Sequence, residues 1–298
     1  MKDRRDEGLW AWRQPENHNH MIELQSGSGV TEVEPAIELA YFGGSAFRMT
    51  SPSGLTIMID PWRNPPWGTS DCYLYDFPRV EVDIGLSTHA HFDHDGLHTL
   101  SAHTLIDRLI GTYEFADVRI TGIADKHVSD STHNVYDWAA LTRRLTNMET
   151  RPPHNWRSFD NCLLLVETAG MRILHWGDNR PDPPESVWAR IGHIDVALLP
   201  IDGSFHILSP MQIEAVIARL DAKLVVPHHY YISDVTTRGS TLLSPNQWVD
   251  ARSGSIWASS GSIKLERQFV GSQRNRIFCF GEQVAFEKPI AKLASTNA

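Results

Sequence analysis

Cysteine is scarce in this chain: 298 residues contain three, Cys72, Cys162 and Cys279. Their odd number and wide separation exclude a disulfide framework and a CxxC zinc knuckle, so they read as reduced, buried thiols. Also missing is any run of 18 uninterrupted apolar residues, and the charged start Met1-Lys2-Asp3-Arg4-Arg5-Asp6-Glu7 leads into no apolar stretch. The two absences argue against a membrane span and a secretion signal and make the cytoplasm the expected compartment. No Lys/Arg run exceeds two residues, and the formal charge of -9 repels phosphate backbones and anionic lipid. Nucleic acid is therefore disfavoured as a partner and a small-molecule substrate is expected, with a homo-oligomer left open. What the chain has in excess is histidine, fifteen residues, and tryptophan, ten. Histidine is the commonest metal ligand.

Residues 1–34 are polar and mixed in charge without an apolar period, and read as an extension in which Trp10 and Trp12 could dock on the body. Residues 35–298 are expected to form one domain. It opens as an antiparallel meander, with runs at Ile37 to Phe42, Ala46 to Met49 and Leu55 to Ile59 separated by Gly43-Gly44 and by Ser51-Pro52-Ser53-Gly54. A loop without period follows from Pro61 to Pro78, where Trp62 and Trp67 could wall an apolar pocket. Strands and helices then alternate: a strand at Ile84 to Leu86, a helix through Leu97, Leu100, Leu105 and Leu109, a strand at Val118 to Ile123, and a hairpin around Ala169-Gly170. Buried strands at Val196 to Pro200 and Leu224 to Pro227 flank a helix opened by Pro210. Weaker strand signals at Ile263 to Leu265 and Ile277 to Phe280 close the chain. The order suits two sheets packed face to face with helices outside.

The strongest chemical signal is Thr88-His89-Ala90-His91-Phe92-Asp93-His94-Asp95-Gly96, directly after a buried strand. His89 and His91 are two apart, so in an extended exit both rings point the same way; Asp93 and His94 then enter a turn toward a second cation. Further donors follow other apolar runs: Asp125 and His127 after one strand, with His133 as rival to His127; His175, Asp178 and Asn179 after the hairpin; His228 and His229 after the last buried strand. A sheet delivers its strand ends to one edge, where residues distant in sequence converge. Successive side chains leaving a strand point to opposite faces, so only one of His228 and His229 is expected at the site. Asp60, at a strand end, suits the role of accepting the second N–H of a ligand imidazole. His175 reads equally as such a support or as an ordinary strand residue, and His206, Tyr230 and Asn179 are further candidates for binding an oxyanion or donating a proton.

HxHxDH after a strand, a later His, Gly177-Asp178 after a hairpin and Pro227-His228-His229-Tyr230 after a strand together resemble the metallo-β-lactamase superfamily, from about Ile37 to about Pro289. The resemblance implies an α/β fold, a four-layer αβ/βα sandwich of two mixed sheets with outer helices. It also implies a dinuclear zinc hydrolase, with Mn2+ or Fe2+ as other first-row choices. His89, His91 and His127 would hold one metal, Asp93, His94 and His229 the other, and Asp178 would bridge, with Asp93 and Asp178 as the catalytic carboxylates. The stretch Gly170 to Asp178 is similar to the lactonase and phospholipase D side of the superfamily, which implies a small ester, lactone or phosphodiester as substrate. His175-Trp176-Gly177-Asp178-Asn179 is also similar to hydrolytic haloaromatic dehalogenases. An iron-dependent oxidoreductase on the same scaffold is the alternative from another enzyme class.

Overall fold

The computed structural model describes residues 35–65, 71–127, 159–202 and 207–289. The extension 1–34, Trp67, His133 and His206 therefore lie outside the described residues. Among the described residues, no helix is long and apolar enough to cross a membrane.

The first sheet grows from the meander. Strands β1 (Ala36–Tyr41), β2 (Phe47–Thr50) and β3 (Thr56–Ile59) pair antiparallel, and β4 (Val80–Ser87) joins β3 in parallel. Strand β5 (Leu100–Asp107) runs parallel to β4 at the edge. Here the sequence expectation of a helix through Leu97, Leu100, Leu105 and Leu109 is wrong. Leu100, Ala102, Thr104 and Ile106 alternate with the exposed Ser101, His103, Leu105 and Asp107, a period of two that overrides the scattered leucines. Only a short 3-10 turn, Gly96–Thr99, precedes β5, so the histidine-rich segment is itself the connection between two parallel strands. Residues Ser262–Glu266, strand β13, complete this six-stranded sheet in the order β13-β1-β2-β3-β4-β5.

The second sheet has an antiparallel half and a parallel half. Strands β6 (Gly111–Phe115), β7 (Val118–Asp125), β8 (Asn161–Thr168) and β9 (Met171–His175) meander; β6 had no counterpart in the sequence reading. Strands β10 (Val196–Pro200), β11 (Leu224–His228), β14 (Arg276–Cys279) and β12 (Ile256–Trp257) add in parallel, giving β12-β14-β11-β10-β9-β8-β7-β6. Every residue of β10 and β11 is buried, as expected for strands covered on both faces.

Helix α1 (Glu185–Ile191) links β9 to β10, and α2 (Pro210–Leu220) links β10 to β11. Ser209 caps α2 in a reciprocal box with Gln212, Pro210 opens it, and Ile213, Val216, Ile217 and Leu220 form its buried stripe. Two one-turn helices, α3 (Asn246–Asp250) and α4 (Arg267–Gly271), serve the C-terminal third. The sheets face one another through a shared core: the Phe47 ring of β2 lies edge-on against His175 of β9 and His228 of β11, at 5.9 and 5.8 Å. This is the two-sheet α/β sandwich expected of the metallo-β-lactamase fold.

Candidate metal centre

Both sheets bring the ends of several strands to one edge. Asp60 follows β3, residues 88–95 follow β4, His127 lies two residues beyond β7, Asp178 three beyond β9, and His229 directly after β11. Two donor groups result, His89, His91, His127 and Asp178, and Asp93, His94, Asp178 and His229, each with ligand atoms within 4.8 Å of one another. Asp178 belongs to both. Its Oδ1 lies 3.2 Å from His94 Nε2, and its Oδ2 lies 3.4, 3.6 and 3.9 Å from the Nε2 atoms of His127, His89 and His229. Within the first group, His89 Nε2 and His91 Nδ1 are 3.0 Å apart; in the second, His229 Nε2 is 3.1 Å from Asp93 Oδ2.

Tight local backbone makes this convergence possible. The turn holding Asp93 and His94 is closed by N–H groups of His94 and Asp95 donating to His91 O, both at 2.9 Å. Gly177 has φ +57°, and a Cβ there would meet Thr88 Oγ1 at 2.8 Å, so the Gly-Asp step is glycine for both conformation and space. His229 itself has φ +56° and is held by its N–H donating to Gly44 O at 2.8 Å. That left-handed residue swings His229 to the centre. His228 instead stacks on His175 between the sheets, ring centroids 4.9 Å apart, and among the described residues neither of its ring nitrogens has a hydrogen-bond partner.

A single buried carboxylate orients both donor groups. Asp60 Oδ1 accepts from Thr88 N at 2.7 Å, and Oδ2 accepts from Thr88 Oγ1 at 2.8 Å and lies 2.7 Å from His94 Nδ1. Since a carboxylate only accepts, His94 Nδ1 carries the proton and its Nε2 is turned toward Asp178. The Thr88 hydroxyl has given its hydrogen to Asp60, so its 3.1 Å contact with His89 Nδ1 must be a donation from the ring. His89 Nε2 is thereby left as a lone pair facing the group.

The remaining candidates divide. His175 accepts from Gly177 N at Nδ1 (3.1 Å) and donates from Nε2 to Ser45 O (2.9 Å), which makes it a neutral brace under the Gly177-Asp178 turn. Asn179 does not face an oxyanion site: its amide nitrogen donates to Asp125 and its oxygen accepts from Asn161, while Arg180 also binds Asp125 at 2.6 Å. That network ties the end of β7, and so His127, to the Asp178 turn. Tyr230 donates to Gly281 O at 3.2 Å and is fully buried against Tyr41, which removes it as a proton donor to substrate. Trp62 is likewise fully buried, its Nε1 donating to Phe42 O at 2.9 Å, so it supports the site's rim rather than walling a pocket. Two residues escape the sequence patterns, Thr88 as a relay and Tyr73, which stacks on Trp62 with its hydroxyl beside Gly44; no local pattern marks either.

Electrostatically the centre is a strained mixture. Burial alone would raise Asp178, but the His94 and His229 imidazoles outweigh it and hold the carboxyl well below its ordinary range. Burial and neighbouring imidazoles push His89 well down, and burial and His127 push His91 to about 4. At His94 the carboxylates of Asp178, Asp60 and Asp93 overcome burial and raise the ring.

A fully buried carboxylate faced by imidazole nitrogens of four histidines at 3.2–3.9 Å crowds lone pairs together, an arrangement that a shared cation would satisfy. The His/Asp donor set suits a borderline first-row divalent metal. The residues present therefore fit a divalent metal at this centre.

The fold and this edge of strand ends define the class. The chain belongs to the β-lactamase superfamily, whose family model, described as a beta-lactamase superfamily domain, matches residues 38–229. Among curated relatives, a UPF0173 metal-dependent hydrolase of Pyrobaculum islandicum is 30% identical over 195 residues, 65% of this chain and 84% of that one. Another UPF0173 metal-dependent hydrolase, from Myxococcus xanthus, is 27% identical over 202 residues, 65% of this chain and 70% of that one. Among solved structures, a proposed Zn-dependent hydrolase of the superfamily from Thermotoga maritima covers 82% of this chain and 98% of its own, with TM-score 0.55 and 21% identity. An isothiocyanate hydrolase from Delia radicum gut bacteria gives TM-score 0.52 at 13% identity, over 84% of this chain and 99% of its own. These structural likenesses concern the fold.

Proposed function

We propose that this protein is a metal-dependent hydrolase of small molecules working with two divalent cations, zinc or another first-row metal. His89, His91 and His127 hold one cation, Asp93, His94 and His229 the other, and Asp178 is shared. The observation that carries this reading is the position of Asp178, buried and common to two donor groups built from four different strand ends. The relatives' description as metal-dependent hydrolases supports it. Bound metals would supply an activated water near neutral pH and positive charge against a developing oxyanion.

The chain's own contribution is orientation. Asp60 fixes the His94 proton on Nδ1 and, through Thr88, the His89 proton on Nδ1, so that both Nε2 atoms are held ready as ligands. His175 braces the Gly177-Asp178 turn, and the Asn179-Asp125-Arg180 network braces His127. Asp93 accepts at the second group and keeps His229 in register. The nucleophile is not a thiol: burial, followed by Asp93 and Asp71, raises Cys72 to about 11, and Cys162 and Cys279 are buried.

Hydrolysis of a panel of lactones, phosphodiesters and haloaromatics by metal-replete protein tests this reading. Turnover of at least one substrate that chelator abolishes and added metal restores is the expected result. Turnover that survives complete metal removal would overturn it.

A further inference from the structure

Tyr73, in the segment between β3 and β4, is anchored from three sides. Asn64 clamps its backbone: Nδ2 donates to Tyr73 O at 3.1 Å, and Oδ1 accepts from the N–H groups of Tyr73 (2.9 Å) and Cys72 (3.0 Å). A lone antiparallel bridge to Thr236 ties it to the far side of the rim. Its ring lies flat on Trp62, centroids 4.0 Å apart and planes 14° from parallel, and Trp62 is itself pinned to Phe42 O. So firmly held a side chain normally spends its polar tip on a partner. None of these anchors uses the Tyr73 hydroxyl.

The tip lies beside Gly44, on the segment that holds His229. A Cβ on Gly44 would stand 2.8 Å from the Tyr73 hydroxyl oxygen, and Gly44 is the residue whose carbonyl holds the His229 N–H. Burial first, then the negative charge of Asp93, with Asp178 among the weaker contributors, push the phenol well above its ordinary range. At neutral pH it keeps its hydrogen and can only be improved as a donor by a negatively polarised acceptor.

We propose that the Tyr73 hydroxyl donates a hydrogen bond to an acceptor oxygen of the substrate bound at the metal centre, which makes Tyr73 a specificity-determining residue for substrates with an acyl or phosphoryl oxygen at the reacting group. This rests on the metal-centre reading above. The rigid mounting fits such a role, because a donor already held in place loses no rotamer freedom when the substrate arrives. Gly44 fits it too: any side chain there would occupy the space beside the hydroxyl.

The test is binding of inorganic phosphate and of acetate to metal-replete wild type, Tyr73→Phe and Asn64→Ala, with bound metal and melting temperature measured on the same samples. Tyr73→Phe keeps the ring stack, so its metal content and melting temperature should match wild type, while affinity for one of the anions falls about tenfold, the scale of one hydrogen bond to a charged acceptor. The anion affected identifies the phosphoryl or acyl arm. Asn64→Ala should weaken the same anion by a smaller factor, because the clamp is loosened and the hydroxyl retained. Unchanged binding of both anions in Tyr73→Phe, anion binding lost only in proportion to metal, or no binding of either anion by metal-replete wild type would each overturn the inference. Wild type that takes up no metal would instead overturn the reading of the centre, and this inference with it.

Discussion

Asp60 and His94 meet at 2.7 Å with both side chains fully buried, and the same carboxylate oxygen also receives the Thr88 hydroxyl. One residue thus orients a ligand of each donor group. Asp60 sits at φ +53°, a conformation that asparagine also tolerates, so Asp60→Asn changes the chemistry without straining the backbone. An amide has one acceptor oxygen where the carboxylate receives three donors. Metal affinity in Asp60→Asn should fall about 10- to 100-fold, by chelator competition, with the chain still folded. Wild-type affinity would show that the contact does not tune the centre.

At Gly177 the cost is steric and conformational together. Gly177→Ala would place a Cβ 2.8 Å from Thr88 Oγ1 at φ +57°. The expected loss is about 1–3 kcal/mol of stability, read as a lower denaturation midpoint, with weakened metal binding because Asp178 and Thr88 are both displaced. A variant as stable as wild type would contradict the placement of this turn.

The adjacent pair His228 and His229 separates packing from ligation. His229→Ala should remove metal from the second group while leaving the core intact. His228→Ala should keep bound metal and lower stability, since its buried ring packs on His175 and Phe47. Metal content of both purified variants decides this, and the reversed pattern would move the assignment by one residue.

Proton release follows from the raised imidazoles. Burial favours neutral rings, but nearby carboxylates outweigh it at His94 and His229, so both hold a proton above the ordinary histidine range in metal-free protein. Asp93 and Asp178 are shifted down and are already ionised. A cation needs the lone pairs, so binding at pH 7 should expel about one to two protons. Affinity should rise with pH as those rings lose their protons, and fall as pH drops. Calorimetry in buffers of different ionisation enthalpy measures the release; none at pH 7 would contradict the electrostatics.

The meander, the hairpin at Ala169-Gly170, the buried strands β10 and β11 and the Ser209-capped helix were legible because each is decided locally, by apolar period, turn residues or caps. The convergence of residues 89–94, His127, Asp178 and His229 was legible for a related reason: each follows an apolar strand, and strand ends share an edge. Strand β5 was not, because four leucines at irregular spacing hid the alternation of Leu100, Ala102, Thr104 and Ile106. Nor were the roles of Asn179, Tyr230 and Tyr73, whose partners lie 54, 51 and 9 residues away in Asp125, Gly281 and Asn64. Position along the chain says nothing about which of two polar residues at a strand end turns inward to a network and which faces the centre.

The central claim, two cations sharing Asp178, is tested most directly by counting metal. Metal-replete wild-type protein, dialysed free of excess and analysed by inductively coupled plasma mass spectrometry, should hold about two divalent ions per chain, because seven donors in two groups exceed what one tetrahedral ion can use. Asp178→Ala, which removes the shared carboxylate, should drop both. A wild-type stoichiometry that saturates at one, or an Asp178→Ala variant that still holds two, would contradict the account.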